Sequence, residues 1–346
     1  MSCLLPMRNL RFSLMTTASV IAAAAALSAP ALASANRPAN VPEGYAATPV
    51  GYFHPSCVKQ VAKDDVLRPD ERAIYHADGT IDSMPACAYQ HYTSDGQLVP
   101  MELATVPPKT SDSKLTRLTP GGDEESKEPP YISHSWMVDV EAFTSSSYGK
   151  ITSKVIVPKA PSSHDGQIIY LFPGMQDNGH VKTIVQPVLS WNTPYYKKGD
   201  VWSITSWNCC TKGTLFVSPG EGVNTGDTIY GEIYDQCSAG TLECGKWTIY
   251  TKDETNGAWT KLYNESNFGQ TFNWAFGTAL EVYYVKQCSD YPEGGKLVSS
   301  DVTLYNDKFQ VVKPTWYTSL GDPKGSPQCG YNGYLDGNDS TLLITY

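Results

Sequence analysis

The sequence predicts an all-β fold: a large sandwich of two antiparallel sheets, of the jelly-roll or concanavalin A-like kind, behind a small N-terminal extension. Three observations predict it. From Tyr131 onward, short runs rich in Val, Ile, Thr and aromatic residues recur at regular spacing, the pattern of pleated, half-buried strands. Turn sequences separate them, among them Pro219-Gly220, Gly226-Asp227, Asn256-Gly257 and Gly294-Gly295, which supply tight reversals. No stretch repeats apolar residues at helical spacing over the length that an amphipathic helix needs.

Residues 1–33 read as a secretory signal. Arg8 and Arg11 precede an Ala-rich apolar run from Phe12 to Leu27, and Ala31-Leu32-Ala33 has the small-residue form that a signal peptidase cuts. Cleavage is placed after Ala33, with Ala35 as the alternative. The apolar run is short for an anchor, and no other stretch is long enough to cross a bilayer. The expected location is therefore outside the cytoplasm, extracellular or periplasmic, with no membrane association once the signal is gone.

Export removes two positive charges from a chain of 26 Lys and Arg against 35 Asp and Glu, leaving a net charge of −11. That balance argues against nucleic acid as a partner. It suits an acidic medium, in which carboxylates are partly neutralised. Eight of the nine cysteines follow the signal, and an even number in an exported chain reads as disulfides. Cys57 with Cys87, Cys237 with Cys244, and Cys288 with Cys329 are reasonable pairs. No Cys-x-x-Cys pair occurs and no His stands at ligand spacing from a Cys, so no metal or other cofactor is expected. A monomer is the expected state.

Residues 34–109 form the extension, with many of the prolines, two cysteines and the aromatics Tyr52, Phe53, Tyr89 and Tyr92. It reads as a small folded unit and a candidate pro-segment. Residues 110–130, TSDSKLTRLTPGGDEESKEPP, are polar and rich in Gly and Pro, an exposed linker of the kind that proteases cut. Lys114, Arg117 and Lys127 offer sites. Residues 131–346 carry the sandwich, with strands expected at 135–143, 149–157, 167–172, 183–191, 201–207, 213–217, 228–234, 247–251, 259–263, 278–285, 296–304 and 342–346.

Two strands carry an unexpected polar residue. In Ile184-Val185-Gln186-Pro187-Val188-Leu189 an amide interrupts an apolar run, and in Ala279-Leu280-Glu281-Val282-Tyr283-Tyr284-Val285 a carboxylate does. A buried amide without partners costs about 1–3 kcal/mol, so Gln186 is either a satisfied structural group or a donor aimed at a ligand. The familiar hydrolase signatures, Gly-x-Ser-x-Gly and His-Glu-x-x-His, are absent. Ser218 stands in turn chemistry, no histidine has a catalytic context, and Asp336-Gly337-Asn338-Asp339 reads as a turn. Carboxylate and amide chemistry remains.

At these residues the chain resembles the eqolisins, or glutamic peptidases. The resemblance runs in order through most of 131–317. Tyr148 to Pro158 is similar to an early strand that ends in Val-Pro. Ile184-Val185-Gln186 is similar to the Ile-Leu-Gln that carries the family's glutamine, and the segment from Trp202 to Trp207 resembles an aromatic strand. Val217-Ser218-Pro219-Gly220 and Gly226-Asp227-Thr228-Ile229 resemble the following turn and strand, and Ala279-Leu280-Glu281 the strand of the glutamate. Leu280 intervenes between Ala and Glu, Val282 replaces a Trp, and Pro187 replaces a small polar residue. The neprosin-type peptidases, more distant, use two glutamates, so Gln186 favours the eqolisin form. The resemblance implies a secreted endopeptidase acting on polypeptides, with Glu281 and Gln186 as catalytic dyad. Glu281 would activate water as general base and then protonate the leaving amine. The Gln186 amide would stabilise the oxyanion. Trp191 and Trp207 are candidate substrate-binding residues, and Asp177 a supporting carboxylate or a turn cap. The resemblance also implies an extension that blocks the cleft until acid or a cut in the linker releases it.

Carbohydrate binding or processing is the competing class, since a sandwich of this kind supports several functions. A glycosidase needs two carboxylates about 5–9.5 Å apart, for which Glu281 would have to pair with Glu232 or Asp177. A lectin would use exposed tryptophans.

Overall fold

The computed structural model describes residues 37–99, 116–117, 133–177, 183–197, 199–211, 213–321 and 329–346. The signal, and the linker apart from Thr116 and Arg117, lie outside the described residues. The architecture is a β-sandwich. One large sheet runs in the order Val58–Gln60, Thr214–Val217, Trp202–Thr211, Ile184–Trp191, Ile168–Gln176, Trp274–Val285, Ser133–Phe143, Tyr317–Leu320, Thr116–Arg117. The other runs from Asn332–Leu335 through Leu342–Thr345, Lys296–Asn306, Tyr148–Ile156, Thr228–Asp235, Cys244–Asp253 and Trp259–Gln270 to Val66–Arg68, Ala73–Tyr75 and Ile81–Ser83.

The two sheets differ in their sequences because they differ in their surroundings. Thr228–Asp235 alternates strictly between buried and half-buried residues, as a sheet wet on one face requires. Every residue of Trp274–Val285 is buried, because its sheet is covered on both faces. On the inner face, Leu171, Val185, Leu189 and Leu280 meet Ile151, Ile233, Ile249 and Leu304 of the opposite sheet. On the outer face, Trp136, Tyr170, Phe172, Val188, Trp207 and Tyr283 pack with Val41, Ala47, Val50, Tyr52 and Phe53 of the extension. Burying each large side chain contributes about 1.5–3 kcal/mol, so the extension is held by a core of its own.

The extension is thus built into the sandwich. Val58–Gln60 adds to one sheet beside Thr214–Val217, and Val66–Arg68 to the other beside Trp259–Gln270, both in parallel. These two pairings depart from the expected all-antiparallel sheets. A parallel pair needs a long connection, and both of these strands lie far from their partners in sequence.

The strand expected to end at Phe172 runs on. Ile168–Gln176 continues through Pro173 and Gly174. A register shift against Trp274–Val285 falls between Phe172 and Gly174, so the missing Pro173 N–H lands where the ladder is already interrupted. Tyr317–Leu320 and Asn332–Leu335 were not among the expected strands. Both are short and pattern-poor.

The sheets approach closely at Gly231, where an added Cβ would lie 2.9 Å from Cγ of Pro187 and 3.3 Å from Cγ of Pro173. Both rings are rigid, so neither yields cheaply. Gly231→Ala is expected to lower unfolding stability by about 1–3 kcal/mol, read as an earlier urea midpoint. An unchanged midpoint would mean that the sheets part here without cost.

All eight described cysteines pair: Cys57–Cys87, Cys209–Cys210, Cys237–Cys244 and Cys288–Cys329. Each bridge lies wholly within the extension or wholly within the sandwich, so no disulfide ties one to the other.

Candidate functional site

Gln186 and Glu281 lie on the same outer face of the same sheet, on the two strands that flank Ile168–Gln176. Gln186 faces Trp207 directly across its ladder. Glu281 stands opposite Tyr170 on one side and Trp136 on the other. Glu281 is therefore level with Tyr170, whereas Gln186 is level with Gly174, since its neighbour Val185 pairs with Met175. Both side chains are fully buried. They do not touch each other. They meet through the extension.

Ala46–Thr48 and Gly51–Phe53 form a hairpin whose turn, Pro49-Val50, is pressed onto this face. Proline suits the first turn position because its φ is already set. Gly51 has φ 117°, and an added Cβ would lie 2.1 Å from the Tyr92 carbonyl oxygen. Only glycine passes there. The Gln186 amide donates through Nε2 to the Pro49 carbonyl at 3.2 Å. The Tyr283 hydroxyl lies 2.6 Å from the Thr48 carbonyl oxygen and 2.7 Å from Glu281 Oε1, and it accepts from the Gly51 N–H at 2.9 Å. Tyr170 donates to the Ala47 carbonyl at 3.0 Å. One stretch of peptide backbone is thus gripped at Ala47, Thr48, Pro49 and Gly51.

Burial pushes the Glu281 carboxyl up to about 8, while hydrogen bonding from Tyr283 and Trp136 works in the opposite direction. Desolvation disfavours the charged form, and no cation stands among the groups that shift it. Tyr283 follows Glu281 by two residues, the strand period that keeps both on one face. Tyr284 has φ 65°, close to a register shift in the pairing with Ser133–Phe143. That irregularity keeps its ring with Tyr283 in the outer cluster, against Tyr52.

The other site expectations divide. Trp207 is fully buried beside Gln186, under the extension, with its indole N–H on Thr205 Oγ1 at 2.7 Å. Trp191 belongs to the inner core, packed on Trp202 at 5.3 Å, so it sits on the other face of its strand from Gln186 and lines no cleft with it. Asp177 is buried at the far end of the central strand and accepts the Thr271 N–H at 3.2 Å, which fits the turn-anchoring alternative. Glu232 is in the opposite sheet, paired with Lys150, so it forms no carboxylate pair with Glu281.

Sequence reasoning passed over Tyr283, Trp136, Asp139 and Glu141. The two carboxylates are buried and stand opposite Ala279 and Phe276. Trp274 donates to Glu141 at 2.6 Å. Their alternation with Val138, Val140 and Ala142 was the available signal, because it places acids on one face and the apolar set on the other.

No protein-family model and no curated protein matches the chain. Among solved structures, it is similar to scytalido-glutamic peptidase with a peptide-based transition-state analog, at 12% identity and TM-score 0.43 over 61% of this chain and 98% of that one. SCP-B, a member of the eqolisin family in complex with the tripeptide Ala-Ile-His, gives 11% identity and TM-score 0.40 with the same coverages. The enzymatically active domain of bacteriophage CBA120 tailspike protein 2 gives 12% and 0.28, over 61% of this chain and 31% of that one. At these scores the likenesses transfer no chemistry to this chain.

Proposed function

We propose that the protein is a secreted endopeptidase made with its own blocking segment, and that Glu281 and Gln186 form its catalytic pair. One observation carries the reading: the peptide backbone at Thr48-Pro49 is held between them, Pro49 by Gln186 and Thr48 by the tyrosine that touches Glu281. A surface that grips main-chain carbonyls suits a substrate whose common feature is the main chain. In the opened chain, Glu281 regains solvent, ionises and takes a proton from water as that water attacks the carbonyl carbon. The Gln186 N–H stabilises the oxygen that gains charge, a contribution of about 2.7–4 kcal/mol for one donor. Glu281 then returns the proton to the leaving amine. A carboxamide keeps its donor at any pH, so the pair suits acid.

Gln186→Ala in the chain cut free of its extension is expected to lower kcat by about two to three orders of magnitude, with KM little changed. A rise in KM with kcat intact would make Gln186 a binding group only.

A second reading, glycan binding, is favoured by one feature. An open groove of about 320 Å³ on the outer face of the opposite sheet is lined by Glu232, Tyr234, Thr248, Tyr250, Trp259 and Lys261. Polysaccharide binding that is lost in Trp259→Ala, together with an inert opened chain, would make this the better account.

A further inference from the structure

Tyr283 has one proton to donate and two lone pairs with which to accept. In the closed chain it stands within hydrogen-bond distance of three groups: the Gly51 N–H at 2.9 Å, the Thr48 carbonyl at 2.6 Å and Glu281 Oε1 at 2.7 Å. The Gly51 N–H can only donate and the Thr48 carbonyl can only accept. One phenol proton therefore faces two acceptors, the Thr48 carbonyl and Glu281 Oε1. With Glu281 ionised, that proton serves only one of them, and the other oxygen stands against the phenol oxygen with no proton between them. A neutral Glu281 supplies the second proton: it donates into the free Tyr283 lone pair, the phenol proton goes to Thr48, and the set is complete.

We propose that docking of the extension is linked to a proton: the seated hairpin draws the one proton of Tyr283 to Thr48, so that Tyr283, as a positioning residue, accepts from a neutral Glu281, and release of the hairpin releases that proton. The groups facing Glu281 do not alter the assignment. Tyr283 comes from its own strand, Trp136 and Tyr170 from the flanking strands, and Tyr52 from the hairpin. Further along the Trp136 strand stand Asp139 and Glu141, neither of which is among the groups that shift it. Arg37, the cation near Tyr52 and Tyr284, acts on those two phenols.

The sign is fixed by the two states. The closed-state value, about 8, lies above that of a solvated carboxyl. The proton thus favours the closed form fully below the ordinary carboxylate range, and the contribution is lost as pH rises through the closed-state value. Acid acting on Glu281 tightens the block rather than opening it. This deepens the peptidase reading, since it describes the regulation of the same carboxylate, but its test does not use activity.

The test is hydrogen exchange at the Gly51 amide in the full exported chain between about pH 5 and 8, corrected for intrinsic exchange. The wild-type protection factor is expected to fall about tenfold per pH unit. In Glu281→Gln, whose carboxamide donates to Tyr283 at every pH, it should be flat. A wild-type profile without slope, or equal slopes in both, overturns the proposal. A measurement on the wild type alone guards against a misfolded variant. With ¹³C-labelled glutamate, one protonated carboxyl should persist at pH 6.5, and its absence overturns the assignment. Inactivity of the opened chain with the slope present would remove the peptidase reading and leave this one standing.

Discussion

Glu281→Gln, in a chain cut within the linker and freed of its extension, is expected to abolish peptide hydrolysis, a loss of about two to four orders of magnitude or down to background. The substitution is nearly isosteric, so packing against Trp136 and Tyr170 should survive and the thermal midpoint should move little. In the proposed mechanism, what it removes is the proton acceptor. A carboxamide cannot take the proton of an attacking water, and three other carboxylates are placed elsewhere or engaged. Glu232 is in the other sheet, Asp177 is committed to the Thr271 amide, and Glu141 takes the Trp274 indole. Activity retained in a folded variant would take Glu281 out of the mechanism.

The second large effect concerns the extension. Purified exported protein is expected to be nearly inactive, and a cut between Thr110 and Pro130 followed by removal of the extension should switch it on. The hairpin leaves Gln186 and Glu281 with no exposed surface, so no substrate reaches them while it is seated. Because Cys57–Cys87 closes within the extension, nothing covalent holds it once the linker is cut. What remains is noncovalent, including the apolar cluster around Tyr52 and Phe53, the two parallel strand pairings and the hydrogen bonds of Gln186, Tyr170 and Tyr283 to the hairpin. Acid alone is the weaker trigger, since the proton on Glu281 opposes opening. Arg117 is also a poorer cutting site than expected, because it pairs with Tyr317 in the ladder. Equal activity before and after release, on one substrate at one pH, would leave the extension as an ordinary domain.

The sandwich was legible because its signal is local. β-branched runs and Gly or Asn turns mark strands without knowledge of what they pack against, and most expected strands were recovered, several of them longer than expected. The candidate pair was legible for the same reason: an amide and a carboxylate stand out in apolar strands. Whether they met was not legible, because that depends on register across a third strand, and the Pro173 irregularity that sets part of that register reads in sequence as a loop. Trp191 and Trp207 look alike in sequence, yet one faces the inner core and the other the extension. A single step in strand phase separates them. Tyr283 was hidden because a tyrosine in a strand is ordinary. Its meaning comes from Thr48 and Gly51, more than two hundred residues away in sequence.

The most direct test of the central claim is mass spectrometry of denatured protein incubated across acid pH with the extension-free chain, beside the same chain carrying Glu281→Gln. The account predicts new carboxyl termini that accumulate with the first and stay at background with the second. It would be contradicted by equal cleavage from both, or by no cleavage from a correctly folded, extension-free chain that instead releases sugars from a glycan.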